Sequence, residues 1–213
     1  MSNYKNFPII ISGPSGSGKT RLIEYIEKKS PDYIEAFGCT TRDRRPGEVT
    51  AMYFIERENF ESMIQKDCFI EYCEYNGNYY GVPKSELSRL AETNLMFNVG
   101  YSSAKIIKEL DERSKMIFLL PPTKLDLINR LEARGIESHA RYTLGMEETI
   151  NYALKYEYLL LSHQDDMESV YNDFMEIATQ TKKSSSKSLV LAKNRDFVTN
   201  YYKWGNCDDK NIE

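Results

Sequence analysis

Near the start of the chain, Gly13-Pro14-Ser15-Gly16-Ser17-Gly18-Lys19-Thr20 fits the pattern G-x-x-x-x-G-K-[ST]. The glycines let the backbone curl so that successive N–H groups turn inward toward phosphate oxygens, and the helix that follows presents its positive N-terminus to the same anion. In such a loop Lys19 reaches the β- and γ-phosphates and the Thr20 hydroxyl holds Mg²⁺. Gly13, Ser15, Gly16, Ser17, Gly18, Lys19 and Thr20 are therefore expected to bind a nucleoside triphosphate. A second concentration of charge follows in Thr40-Thr41-Arg42-Asp43-Arg44-Arg45-Pro46-Gly47-Glu48. Arg42 and Arg45 can fork onto a second anion there, although such a loop also reads as a solvated charged surface. Tyr53 and the run from Glu71 to Gly81 add phenolic donors and a carboxylate, groups that serve equally as packing.

The elements that must position these residues follow from periodicity. Phe7–Ser12 is a short β-branched run that reads as a buried strand, and Leu22, Ile23 and Ile26 recur at helical spacing over Lys19–Lys29. Tyr33–Cys39, Ala51–Ile55, Cys68–Tyr75 and Asn78–Val82 read as strands, with Glu58–Lys66 a short amphipathic helix among them. Asn76-Gly77 joins the last two strands as a two-residue hairpin. Further on, helices over Lys84–Glu92, Ser103–Leu110, Leu125–Ala133 and Met167–Ala178 alternate with strands over Leu95–Val99, Met116–Leu120 and Tyr158–Leu161, and a long helix is expected to end near Lys155. That alternation implies an α/β fold with a mostly parallel central sheet. The hairpin around residues 51–82 implies a small antiparallel lobe. After Thr181 the run KKSSSKS reads as a linker into a tail without a chemical motif.

Composition removes several classes of function. The 213 residues suffice for one sizeable domain, and 41% apolar with 28% charged residues is ordinary for a globular chain. Lys and Arg number 28 against 32 Asp and Glu, a net charge of −4 that argues against a nucleic-acid partner. No apolar run is long enough for a membrane span, and the start does not read as a signal peptide. Four cysteines without paired spacing, and two histidines, give neither a disulfide scaffold nor a zinc site. The expected compartment is the cytoplasm. No motif sets an oligomeric state.

Taken in order, GPSGSGKT, TTRDRRPGE, FIEYCEYNGNYYG, the Pro121-Pro122 pair after a strand and NRLEARG resemble the guanylate kinase family from about Phe7 to Ala178. The resemblance implies a P-loop NTPase three-layer fold occupying residues 1–180, with a monophosphate-binding lobe at about 38–83 and a short helical lid at about 130–145. Residues 181–213 are then an extension of unknown role. By the same resemblance Arg42, Arg45, Tyr53 and Tyr80 would hold the acceptor phosphate and Glu71 would read the guanine edge. Arg130 would bind ATP, and together with Arg134 and Arg141 would belong to the lid. The implied reaction is transfer from Mg·ATP to a nucleoside monophosphate, most simply GMP giving GDP.

The departures from the family pattern cluster on base recognition. Gly38 and Val82 stand where the family carries hydroxyl side chains, and Asn98-Val99-Gly100 stands where it carries two carboxylates. Ser162 replaces an Asn that contacts adenine, and the loop before Tyr53 and the segment from Gly135 to Arg141 are shortened. Other readings are therefore kept open. One is a kinase whose acceptor is ribose 1,5-bisphosphate or another nucleotide, including a modified deoxynucleotide. Another is a non-catalytic binding module, against which the intact Lys19 and Thr20 argue.

Overall fold

The computed structural model describes residues 6–44, 51–75, 77–133, 152–163 and 165–179. Its elements are β1 (Ile9–Ser12), α1 (Lys19–Lys29), β2 (Tyr33–Glu35), β3 (Gly38–Thr40), β4 (Met52–Phe54), α2 (Arg57–Gln65), β5 (Phe69–Tyr75) and β6 (Asn78–Pro83). A 3-10 helix (Lys84–Ala91), β7 (Asn94–Asn98), α3 (Tyr101–Leu110), β8 (Lys115–Leu120), α4 (Lys124–Glu132), β9 (Tyr158–Leu161) and α5 (Met167–Thr179) complete them. One sheet has five strands in the order β2-β7-β1-β8-β9, and the other has four in the order β4-β3-β6-β5. In the first, β2 runs parallel to β7 and β8 parallel to β9, as the alternation of strands and helices requires.

By its contacts the chain divides into two compact units, Met1–Ile10 with Ile26–Ser114, and Ile11–Tyr25 with Lys115–Glu213. In the first, the short stretch expected as one strand over Tyr33–Cys39 is two strands in two sheets. β2 pairs with β7, and after Ala36-Phe37 the chain enters the four-stranded sheet as β3. The crossing is pinned by Glu86, a buried carboxylate that accepts from the Phe37 N–H at 2.8 Å and from Arg89 at 2.5 Å. The lobe is mixed rather than wholly antiparallel, because β4 lies parallel to β3 while β5 and β6 form the expected hairpin. Tyr75 pairs with Asn78, and Gly77 takes φ +74°, which a two-residue connection needs. One face of this sheet packs Cys39 and Phe69 against Phe60 of α2, with the Phe60 and Phe69 rings stacked at 4.4 Å.

In the second unit the β8 residues Ile117, Leu119 and Leu120 are fully buried, as are Leu127 of α4 and Phe174 of α5. α4 opens with a complete capping box. The Thr123 hydroxyl accepts from the Asp126 N–H, and the Asp126 carboxylate accepts from the Thr123 N–H. Residues 134–150, which carry most of the expected lid and of the long helix before Lys155, lie outside the described residues.

Candidate active site

The phosphate loop grows out of β1, whose Ile9, Ile10 and Ile11 are wholly buried and so fix where the loop begins. Gly13, Gly16 and Gly18 have φ of +150°, +82° and +97°. At Gly13 no other residue fits, since a Cβ would come within 2.3 Å of the Leu119 carbonyl oxygen. α1 starts at Lys19, whose amine donates to the carbonyls of Gly13 at 2.8 Å and Pro14 at 2.9 Å, folding back along the loop. Thr20 is exposed in the first turn. Ser17 Oγ is buried and has no partner among the described residues, a polar group turned into the loop.

Beside this loop lies a cavity of about 420 Å³ lined by Gly16, Gly18, Arg21, Asp126, Asn129, Arg130, Ala133, Ser162 and Met167. The Arg130 guanidinium donates to the Ser162 hydroxyl and carbonyl, each at 2.8 Å, while the Ser162 hydroxyl donates to the Ser17 carbonyl at 2.5 Å. A side chain from α4 and one from the end of β9 are thus tied to the loop by a short polar chain.

The first unit holds its own cavity, of about 360 Å³, walled by β2, β3, β4, β5, β6, β7 and the start of α3. Glu71 and Tyr80 line it, and Glu71 accepts a hydrogen bond from the Ser103 hydroxyl. Asn98 Nδ2 donates to Glu35 Oε1 at 3.1 Å, and both residues face the same space. A bulge between Phe69 and Glu71 aims the carboxylate. Phe69 pairs with Pro83 and packs toward α2, whereas Glu71 pairs with Val82 and faces the cavity. Cys39 and Cys73 also border it, and burial pushes the Cys39 thiol up to about 11, with the Glu86 charge adding to it. Burial, then the Glu71 charge, raises Cys73 as well.

Tyr53 does not line this cavity. It is 51% exposed and stacks on Phe37, ring centroids 4.9 Å apart. The Arg42 guanidinium lies 5.1 Å from the Phe54 ring centroid and donates to the Asp43 carbonyl at 2.8 Å. Arg45, Arg134 and Arg141 lie outside the described residues. Sequence reading missed Ser103, Glu35 and Met52 on the first cavity and Asp126, Asn129 and Arg21 beside the loop. Two of them carried a local signal, Asp126 as the last residue of a T-x-x-D cap and Asn129 as the first of NRLEARG.

A family model described as guanylate kinase matches residues 5–181. The chain belongs to the guanylate kinase family. Among curated relatives, the guanylate kinase of Carboxydothermus hydrogenoformans is 34% identical over 187 residues, 84% of this chain and 90% of that one. The guanylate kinase of Aliivibrio fischeri is 33% identical over 193 residues, covering 86% and 92%. That of Escherichia coli K12 is 33% identical over 178 residues, covering 79% and 84%. A crystal structure of guanylate kinase from Anaplasma phagocytophilum superposes with a TM-score of 0.62 at 23% identity, covering 85% of this chain and 90% of that one. That last likeness bears on the fold, a P-loop NTPase α/β architecture. As a member of the guanylate kinase family the chain is a nucleoside monophosphate kinase that uses ATP. No helix among the described residues is long and apolar enough to cross a membrane.

Proposed function

We propose that the chain transfers the γ-phosphoryl group of ATP to GMP, giving ADP and GDP, with the 420 Å³ cavity and phosphate loop on the donor side and the 360 Å³ cavity on the acceptor side. The observation that carries the acceptor is Glu71, an acceptor-only group oriented by Ser103 into a cavity of nucleobase size. A carboxylate there suits the adjacent N1–H and 2-amino donors of guanine. In the transfer an oxygen of the GMP phosphate forms a bond to the γ-phosphorus while the bond to the β–γ bridging oxygen breaks, and ADP leaves. Lys19, Arg130, Arg134 and Arg141 offset the charge of the moving group, and Arg42, Arg45 and Tyr80 hold the GMP phosphate. Positioning and charge stabilisation then carry the rate, with no covalent intermediate on the protein. The unpartnered Ser17 hydroxyl and the exposed Thr20 hydroxyl fit a Mg·phosphate group, Thr20 being the residue that would hold the ion. When bound, Mg²⁺ neutralises the β- and γ-phosphate oxygens. The thiols of Cys39, Cys68 and Cys73 are free, which suits the reducing cytoplasm.

A coupled ADP-release assay with Mg·ATP and a panel of GMP, dGMP, AMP and ribose 1,5-bisphosphate tests this reading. GMP is expected to turn over fastest, and Lys19→Ala is expected to lower its turnover by a factor on the order of 10² or more with the circular dichroism spectrum unchanged. Fastest turnover with ribose 1,5-bisphosphate, or wild-type activity in the Lys19 variant, defeats it.

A further inference from the structure

Four residues of the acceptor cavity form one row across the four-stranded sheet. Glu71 on β5 pairs with Val82 on β6, and the register that sets Cys39 opposite Gly81 carries Gly38 alongside Val82. Gly38 in turn pairs with Met52 on β4, and all four line the cavity. Neighbours in such a row are about 4.8 Å apart, so a purine lying along it spans two or three positions. The first position is a carboxylate. The next three offer methyl groups, bare backbone and a thioether, and none has a side-chain N–H or O–H. A Cβ on Gly38 would lie 2.6 Å from Met52 Sδ, so the sulfur already fills that part of the wall. Two side-chain donors on the facing side already have a partner in the cavity wall. The Ser103 hydroxyl is spent on Glu71, and Asn98 directs an amide hydrogen to Glu35.

A guanine that meets Glu71 through its N1–H and 2-amino group carries its 6-oxo oxygen next along the same edge. That oxygen then meets Val82, Gly38 and Met52 rather than a donor. We propose that this site selects its acceptor by the donor edge alone and leaves the 6-position unread. Its substrate class is then purine monophosphates that bear N1–H and a 2-amino group, with either oxygen or a weak acceptor such as sulfur at the 6-position. This rests on the reading that Glu71 faces the acceptor base. The magnitudes separate it from a site that reads the oxygen. A site built to bond a polar group rejects the analogue lacking it by about 10⁴–10⁵, whereas apolar contact discriminates far less.

The test compares kcat/KM for GMP, IMP and 6-thioguanosine monophosphate in the full chain at saturating Mg·ATP. The thio analogue is expected within about fivefold of GMP, and IMP, which lacks the 2-amino donor, roughly 100-fold or more below it. Val82→Thr sets a hydroxyl beside Glu71 and is expected to raise the preference for GMP over the thio analogue to about tenfold or more, with the KM for ATP unchanged. Val82→Ala controls for packing and is expected to lower both nucleotides alike. If the wild type turns over GMP but rejects the thio analogue by more than about 50-fold, the proposal fails while the GMP reading stands. IMP performing as well as GMP, or an unchanged ratio in Val82→Thr, also overturns it. No turnover of GMP removes the functional reading and this inference together.

Discussion

Two glycines make opposite demands on the residues around them. At Gly13 a Cβ would meet a backbone carbonyl at 2.3 Å on a backbone with φ +150°, and neither can yield. At Gly38 it would meet the Met52 thioether at 2.6 Å, which can swing aside because it is the far part of a flexible, half-exposed side chain. Gly13→Ala is therefore expected to cost about 2–5 kcal/mol and to abolish ATP use. Gly38→Ala should cost no more than about 1 kcal/mol and act chiefly by raising the KM for GMP. Urea midpoints and steady-state kinetics of the two variants check both halves, and equal destabilisation would contradict the contrast. The phosphate loop was legible in the chain because all its parts are contiguous and their spacing is the chemistry. Glu71 was legible through the family resemblance, whereas what orients it was not. Its orienting hydroxyl, Ser103, lies 32 positions away on another element, and no local pattern connects them.

At the scale of elements, strands and helices followed from periodicity, while the way they are aimed did not. Alternation along β5 sets Phe69 and Glu71 on one face, yet the bulge between them sends the ring toward α2 and the carboxylate into the cavity. Tyr33–Cys39 reads as one extended run because its apolar residues continue. The buried Glu86, which takes the Phe37 N–H, breaks it into strands of two sheets from 49 residues away. Lys84–Ala91 has helical spacing but closes as a 3-10 helix. Helix starts were the more readable feature, and the capping box at Thr123 makes one of them testable. Thr123→Ala is expected to cost about 1 kcal/mol, because the Asp126 N–H loses the hydroxyl it donates to while the carboxylate keeps only the backbone N–H. As α4 also carries Arg130, the same variant should raise the KM for ATP and leave that for GMP alone. A thermal melt and two KM values measure this, and an unaltered melting temperature counts against the cap.

For the whole molecule, stability should fall in alkali, and one buried thiol contributes to that fall. The Cys39 thiol is raised from an ordinary value near 9.0 to about 11 by burial, then by the Glu86 charge. The folded chain holds that proton more tightly than the unfolded one. The contribution is thus complete below about pH 9 and is lost as pH rises through about 11. While it is being lost, the slope is about 1.4 kcal/mol per pH unit. Urea unfolding at pH 8, 9, 10 and 11 should show a shallower decline for Cys39→Ala than for the parent chain, whatever the variant's absolute stability, and parallel declines would refute this. The two cavities have another consequence. Among the described residues, those lining the 360 Å³ cavity lie between positions 35 and 103, those lining the 420 Å³ cavity come from the other unit, and none lines both. On the proposed assignment of the two cavities, descent can therefore rewrite the first while the second is inherited intact. A lineage can try new monophosphates one substitution at a time without relearning how to use ATP.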